Sequence, residues 1–199
     1  MSSLHYLAKT AMMASVLASA STLNAVSAAD LSAVPSGTYS VDPTHAYINF
    51  QYNHLGLSNP TLGFDSFTMD LSLNNEDPTK STVNVTIDPA SVIAGSEVFT
   101  THISGGDFFD IANHPEINFQ STSIEAAGDS AFTVMGDLTI KGVSKQVALD
   151  VTINAAMNHP MSGNPVIGLD ASGNLLRSEY DMGKFVPNIG DEVALSITA

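Results

Sequence analysis

The chain has 199 residues and a formal net charge of −14, from 20 Asp+Glu against 6 Lys+Arg, and it contains no Cys. An acid excess of this size argues against nucleic acid and against an anionic membrane surface as partners, since both attract basic patches. The missing Cys excludes disulfides, thiolate catalysis and Cys-ligated metal, so the fold must be held by its core alone.

Residues 1–29 read as a cleaved signal peptide. Lys9 precedes an Ala/Met/Leu/Val run from Ala11 to Ala20, and the segment exits through Val26-Ser27-Ala28-Ala29. A weakly basic start, a short apolar middle and a small-residue exit mark a segment for export, with cleavage after Ala28 or Ala29. The run is too short to cross a bilayer, and nothing later reads as a stable membrane span. Export removes Lys9 and no acid, which leaves 5 Lys+Arg against 20 Asp+Glu, a formal −15. Residues 30–36 read as a flexible leader. Residues 37–199 are long enough for one domain with a real core.

Period two then dominates. Ile48, Phe50 and Tyr52 share one phase, and Phe67, Met69, Leu71 and Leu73 share the next. Val83, Val85 and Ile87 follow, then Ile117 and Phe119, then Phe132, Val134, Leu138 and Ile140. Val147 to Ile153 and Val193 to Ile197 complete the series. Such alternation predicts strands with one wet and one dry face. Turn signals separate them: Asn74 to Pro78, Ala127-Gly128-Asp129, Gly142, Asn158-His159-Pro160 and Ser172-Gly173-Asn174.

Two places break the rhythm. Leu62 and Phe64 fall on even positions and Phe67 to Leu73 on odd ones, which predicts a bulge and bend near Asp65-Ser66. Between residues 96 and 111, Val98, Phe99, His102 and Ile103 fall at helical offsets, and Gly105-Gly106 would stop the helix. About eight strands with one short helical insert predict an all-β antiparallel barrel or a sandwich. Periodicity does not choose between them.

Ordered segments add to this. They include Tyr39-Ser40-Val41-Asp42-Pro43-Thr44-His45, His54-Leu55-Gly56 and Gly63-Phe64. His102-Ile103-Ser104-Gly105-Gly106-Asp107-Phe108-Phe109-Asp110 with His114-Pro115 is the most specific. Gly136 to Val143, Arg177-Ser178-Glu179-Tyr180-Asp181-Met182-Gly183 and Gly190-Asp191-Glu192-Val193 follow. In this order and spacing they resemble the YceI-like family of bacterial periplasmic proteins. The resemblance implies a lipocalin-like, extended eight-stranded antiparallel barrel with a short helical insert. It implies an apolar tunnel for an isoprenoid lipid, a quinone or polyprenyl chain, for transport, storage or stress response, with no obligatory cofactor. It also implies a periplasmic location and, as an assembly to test, a homodimer.

The candidate tunnel lining is Phe50, Tyr52, Phe64, Phe67, Met69 and Phe99, followed by Phe108, Phe109, Phe119, Phe132, Leu138 and Met182. The residues alone read as a filled core, because small barrels are usually packed solid. The resemblance turns the reading toward a hollow one, which Phe and Met suit. Head-group candidates are His45 and His54, flanking the first long strand, and Arg177, the one Arg of the chain. A structural ion pair with Glu179 or Asp181 is the competing reading of Arg177. His102 and His114 read as hydrogen-bonding supports of the helical insert, and Asp137 and Lys141 as a surface pair. The His spacing carries no metal signal, and no nucleophile elbow or phosphate loop is present. A binding protein rather than an enzyme follows. The rivals are a quinone-dependent redox partner or enzyme of membrane electron transport, and a solid-cored protective protein.

Overall fold

The computed structural model describes residues 29–199, so the signal segment expected over 1–29 lies, except for Ala29, outside the described residues. The chain forms strands β1 (Gly37–Ser40), β2 (Tyr47–His54), β3 (Thr61–Phe64), β4 (Phe67–Leu73), β5 (Thr82–Ile87) and β6 (Val92–Ile93). After helix α1 (Glu97–Ser104) come β7 (Ile117–Ala126), β8 (Ala131–Ile140), β9 (Val143–Asn158), β10 (Pro165–Leu176) and β11 (Ile189–Thr198). All belong to one antiparallel sheet in the order β1-β4-β5-β7-β8-β9-β10-β11-β2-β3-β6. The fold is all-β and lipocalin-like.

Among the described residues there are eleven strands, not eight. The excess comes from corners. β3 stops at Phe64 and β4 starts at Phe67, at the phase reset expected at Asp65-Ser66. A 3₁₀ turn at Pro89–Ser91 likewise separates β5 from β6, and the Val41–Ala46 turn separates β1 from β2. The two corners lie side by side: Asp65 N–H donates to Ser91 O (3.2 Å), Asp88 N–H to Ser66 O (3.0 Å) and Ser66 N–H to Ser91 Oγ (3.0 Å). Because β3 and β4 sit near opposite ends of the sheet order, this bent stretch draws the ends together and rolls the sheet up.

β10 is the longest strand that the alternation did not reveal; the short β1 and β6 are the others. Ser172-Gly173-Asn174, a turn by composition, lies inside it and pairs with β11. Gly173 is there because the backbones approach closely: a Cβ would stand 2.8 Å from Ala148 O. A register shift at Gly168/Leu169 further blurs the period. The Lys141-Gly142 signal behaves as composition predicts, since both residues have positive φ (50° and 74°) and join β8 to β9 in a tight hairpin.

The helical insert is shorter than residues 96–111. Ser96 Oγ accepts from Phe99 N–H (3.3 Å) and caps the start, and Gly105 N–H closes the end on His102 O (3.2 Å). Tight turns carry the chain from there to Asn113. Within residues 30–36, Leu31 and Val34 are buried and the other five residues are exposed. Asp30 caps a 3₁₀ turn at Leu31–Ala33, Val34 is 1% exposed, and Leu31 and Val34 form a second apolar cluster with Leu73 and Ile153. Asn75 Nδ2 donates to Val34 O (2.8 Å) and holds this plug. Two buried apolar side chains in seven residues were too few for periodicity to register.

Candidate ligand tunnel

The inward faces of the strands surround a cavity of about 580 Å³. Its wall runs from Leu31, Leu73 and Ile153 at the plugged end to His54, Phe99 and Phe185 at the other. Leu55 and Phe185 line the cavity and are also about half exposed, so the mouth opens there. Polar atoms on the wall belong to Tyr52, His54, Ser81, His102, Arg177 and Asn188 only, and all but Ser81 sit toward the mouth. The result is a greasy tube with a polar collar at one end.

Of the twelve lining candidates, eleven stand on this wall: Phe50, Tyr52, Phe64, Met69, Phe99, Phe108, Phe109, Phe119, Phe132, Leu138 and Met182. Phe67 does not. It follows the Asp65-Ser66 corner, and its half-buried ring packs against the core outside the cavity. Three rings lock together below the mouth: Phe50–Phe64 stack at 5.3 Å, and Phe109 meets them edge-on at 6.0 and 5.5 Å. At the level of β8, Gly136 makes room for Phe119, since a Cβ there would stand 2.3 Å from Phe119 Cζ.

The head-group candidates separate. His54 is on the wall at the mouth. His45 is not; its ring is in solvent and makes a 3.0 Å contact with Asp42. Thr44 and His45 hold the Asp42 carboxyl well below its usual range by hydrogen bonds to the charged form. The pair shapes the turn into β2. Arg177 reaches the wall, but its fork is spent on backbone. Nε donates to Gly190 O (2.8 Å), Nη1 to Lys184 O (2.9 Å) and Met182 O, and Nη2 to Ile189 O (3.0 Å). Neither Glu179 nor Asp181 pairs with it within the described residues. The guanidinium is a clasp for the 182–190 loop rather than a free anion site. Burial lowers its pKa, and burial also raises that of Tyr52.

Other residues depart from their sequence reading. Lys141 reaches across to Gly106 O and Asp181 O (2.9 Å each), not to Asp137, and so ties the α1 exit to the turn after β10. His102 is a wall residue, packed between Phe99 and Phe108 at 6.4 and 5.1 Å. Its place three residues after Phe99 on the helix was the available signal. Asn188 and Ser81 carried none, because each comes to the wall from a loop. Among the described residues no group of three His, Asp or Glu gathers as a metal cage.

The family model for the YceI-like domain matches residues 39–199. This chain belongs to the YceI-like family. A UPF0312 protein of Yersinia pestis is 30% identical over 154 residues, covering 77% of this chain and 79% of that one. Among solved structures, Burkholderia cenocepacia BcnA superposes with a TM-score of 0.72 at 25% identity, covering 79% of this chain and 97% of BcnA. A polyisoprenoid-binding domain from Saccharophagus degradans gives a TM-score of 0.61 at 13% identity, covering 82% of this chain and 97% of that domain, which is a likeness of fold. The tube with its collar is a concave, mostly apolar cavity of the kind that takes small molecules, and no described helix is long and apolar enough to cross a membrane.

Proposed function

We propose that this chain is an exported, non-enzymatic periplasmic binding protein that holds an isoprenoid lipid, a polyprenyl or quinone tail, for transport, storage or stress response. The observation that carries this reading is the cavity. It is about 580 Å³, continuous from the Leu31 plug to the Phe185 mouth, and apolar below the collar except for Ser81. That volume lies within the roughly 300–1,000 Å³ of ordinary small-molecule sites. The 13% identical relative described as a polyisoprenoid-binding domain supports the same ligand class through its shared fold.

Burying a CH₂ is worth roughly 0.8 kcal/mol, so a five-carbon isoprene unit contributes about 3–4 kcal/mol gross. A neutral hydrogen bond at the collar contributes only about 1 kcal/mol. The tail therefore sets affinity, and Tyr52, His54, His102 and Asn188 set which end of the ligand faces out. Titration of delipidated protein with quinones and polyprenols of increasing tail length tests this. Affinity should rise roughly ten-fold or more per isoprene unit, after ordering costs, until the tube is full. Affinity that follows the head group and ignores tail length, or no saturable binding, would overturn the reading.

A further inference from the structure

The mouth carries more exposed apolar surface than ligand entry requires. Leu57 is 81% and Val98 83% exposed, and neither lines the cavity. Leu55, Phe185 and Val186, each between about a third and a half exposed, complete the rim. The pieces are adjacent in space. Ile189 pairs with His54, which sets the 182–188 loop beside the Leu55–Leu57 turn. Lys184 Nζ binds Asp107 just past α1 and sets the same loop beside the helix. Five large apolar side chains thus ring one opening, an arrangement that marks a binding surface.

Most of the few basic residues are held at this end. Three of the five Lys/Arg of the described residues, Lys141, Arg177 and Lys184, gather here in a chain whose full sequence carries a net charge of −14. Lys184 and Lys141 are each paired with an acid, Asp107 and Asp181, and Arg177 is buried, so the rim offers no free base, while exposed Glu97 beside Val98 leaves it acidic like the rest of the surface.

We propose that this rim docks on the surface of a lipid bilayer, with Leu57 and Val98 dipping into its interface and the cavity mouth facing the acyl chains. The proposal rests on the tunnel holding a lipid, because the apolar rim and the apolar cavity then form one continuous path out of the bilayer. Contact is apolar rather than electrostatic, as expected of a rim that presents exposed Glu97 and no unpaired Lys or Arg to anionic head groups. A second copy of the chain is the other occupant such a rim could take, and the experiment separates the two.

The test is flotation of the mature chain with phosphatidylcholine vesicles, and with vesicles that also contain phosphatidylglycerol. The Leu57→Ser/Val98→Ser double variant should lower vesicle partitioning by roughly ten- to a hundred-fold, from the apolar contact it removes. Met161→Ser, equally exposed but on the β9–β10 turn at the plugged end, should change nothing. Partitioning should survive high salt and gain little from phosphatidylglycerol. The double variant should still bind a polyprenol presented in detergent. Vesicle binding unaffected by the double variant, or dependent on phosphatidylglycerol, overturns the proposal. So does a dimer in sedimentation equilibrium that the double variant dissociates, which would give the rim to a second copy. Loss of polyprenol binding in the unaltered protein would instead sink the ligand reading.

Discussion

Ala171→Phe separates a hollow interior from a filled one by the sign of its effect. Ala171 is buried on the cavity wall in the middle of β10, opposite Val151 and Ile197. In a close-packed core an added ring forces neighbours off their rotamers and costs about 1–3 kcal/mol. Here it enters a space of about 580 Å³. An engineered apolar cavity of roughly 150 Å³ already accepts benzene, so the ring fits without strain. Burying it should hold stability level or raise it by up to about 1.5–3 kcal/mol. The same ring takes the place of about one isoprene unit, so tail affinity should fall at least roughly ten-fold. Urea unfolding of the delipidated protein and competition against a fluorescent polyprenyl probe read the two effects. Stability that falls by a kcal/mol or more while binding stays unchanged would refute the hollow interior.

Arg177→Lys cannot reproduce a fork that serves four carbonyls, and it should destabilise by about 2–4 kcal/mol, seen as a lower Tm. Gly136→Ala would set a methyl against the Phe119 ring and the Gln120 carbonyl, so unfolding in urea should show a loss of about 1–3 kcal/mol. Acid should also weaken the fold. Hydrogen bonds from Thr44, Thr79 and Thr198 keep the carboxyls of Asp42, Asp77 and Asp170 below their ordinary values. A group with a depressed folded pKa stabilises above its unfolded value, about 3.9, and that contribution disappears as pH falls through the folded value. The thermal midpoint should therefore fall below about pH 4, and Thr44→Val should flatten the slope, whereas a variant with an unchanged acid limb would contradict the assignment.

Much of the wall was legible because strand phase assigns a face. Phe50, Met69, Phe119, Phe132 and Leu138 each sit in an alternating run, and one face of that run must be dry. Phase gives no radius, so whether those side chains meet at the axis or leave a tube was not legible. Corners also escape the pattern. Phe67 has the inward phase, but it adjoins the bend that takes it off the wall. β10 was hidden because Gly168 and Gly173 replace two side chains that would have shown its period. The Leu31–Val34 plug, the Arg177 clasp and the Lys141 tie are long-range contacts made by loop residues, and local sequence carries no record of their partners.

Native mass spectrometry of the mature chain, purified without detergent and then offered polyprenol and quinone, reads the occupancy of the tube directly. One isoprenoid lipid per chain, at lower occupancy when Ala171 is replaced by Phe, is the result the hollow, apolar interior predicts. A bare protein mass both before and after the lipids are added would contradict it.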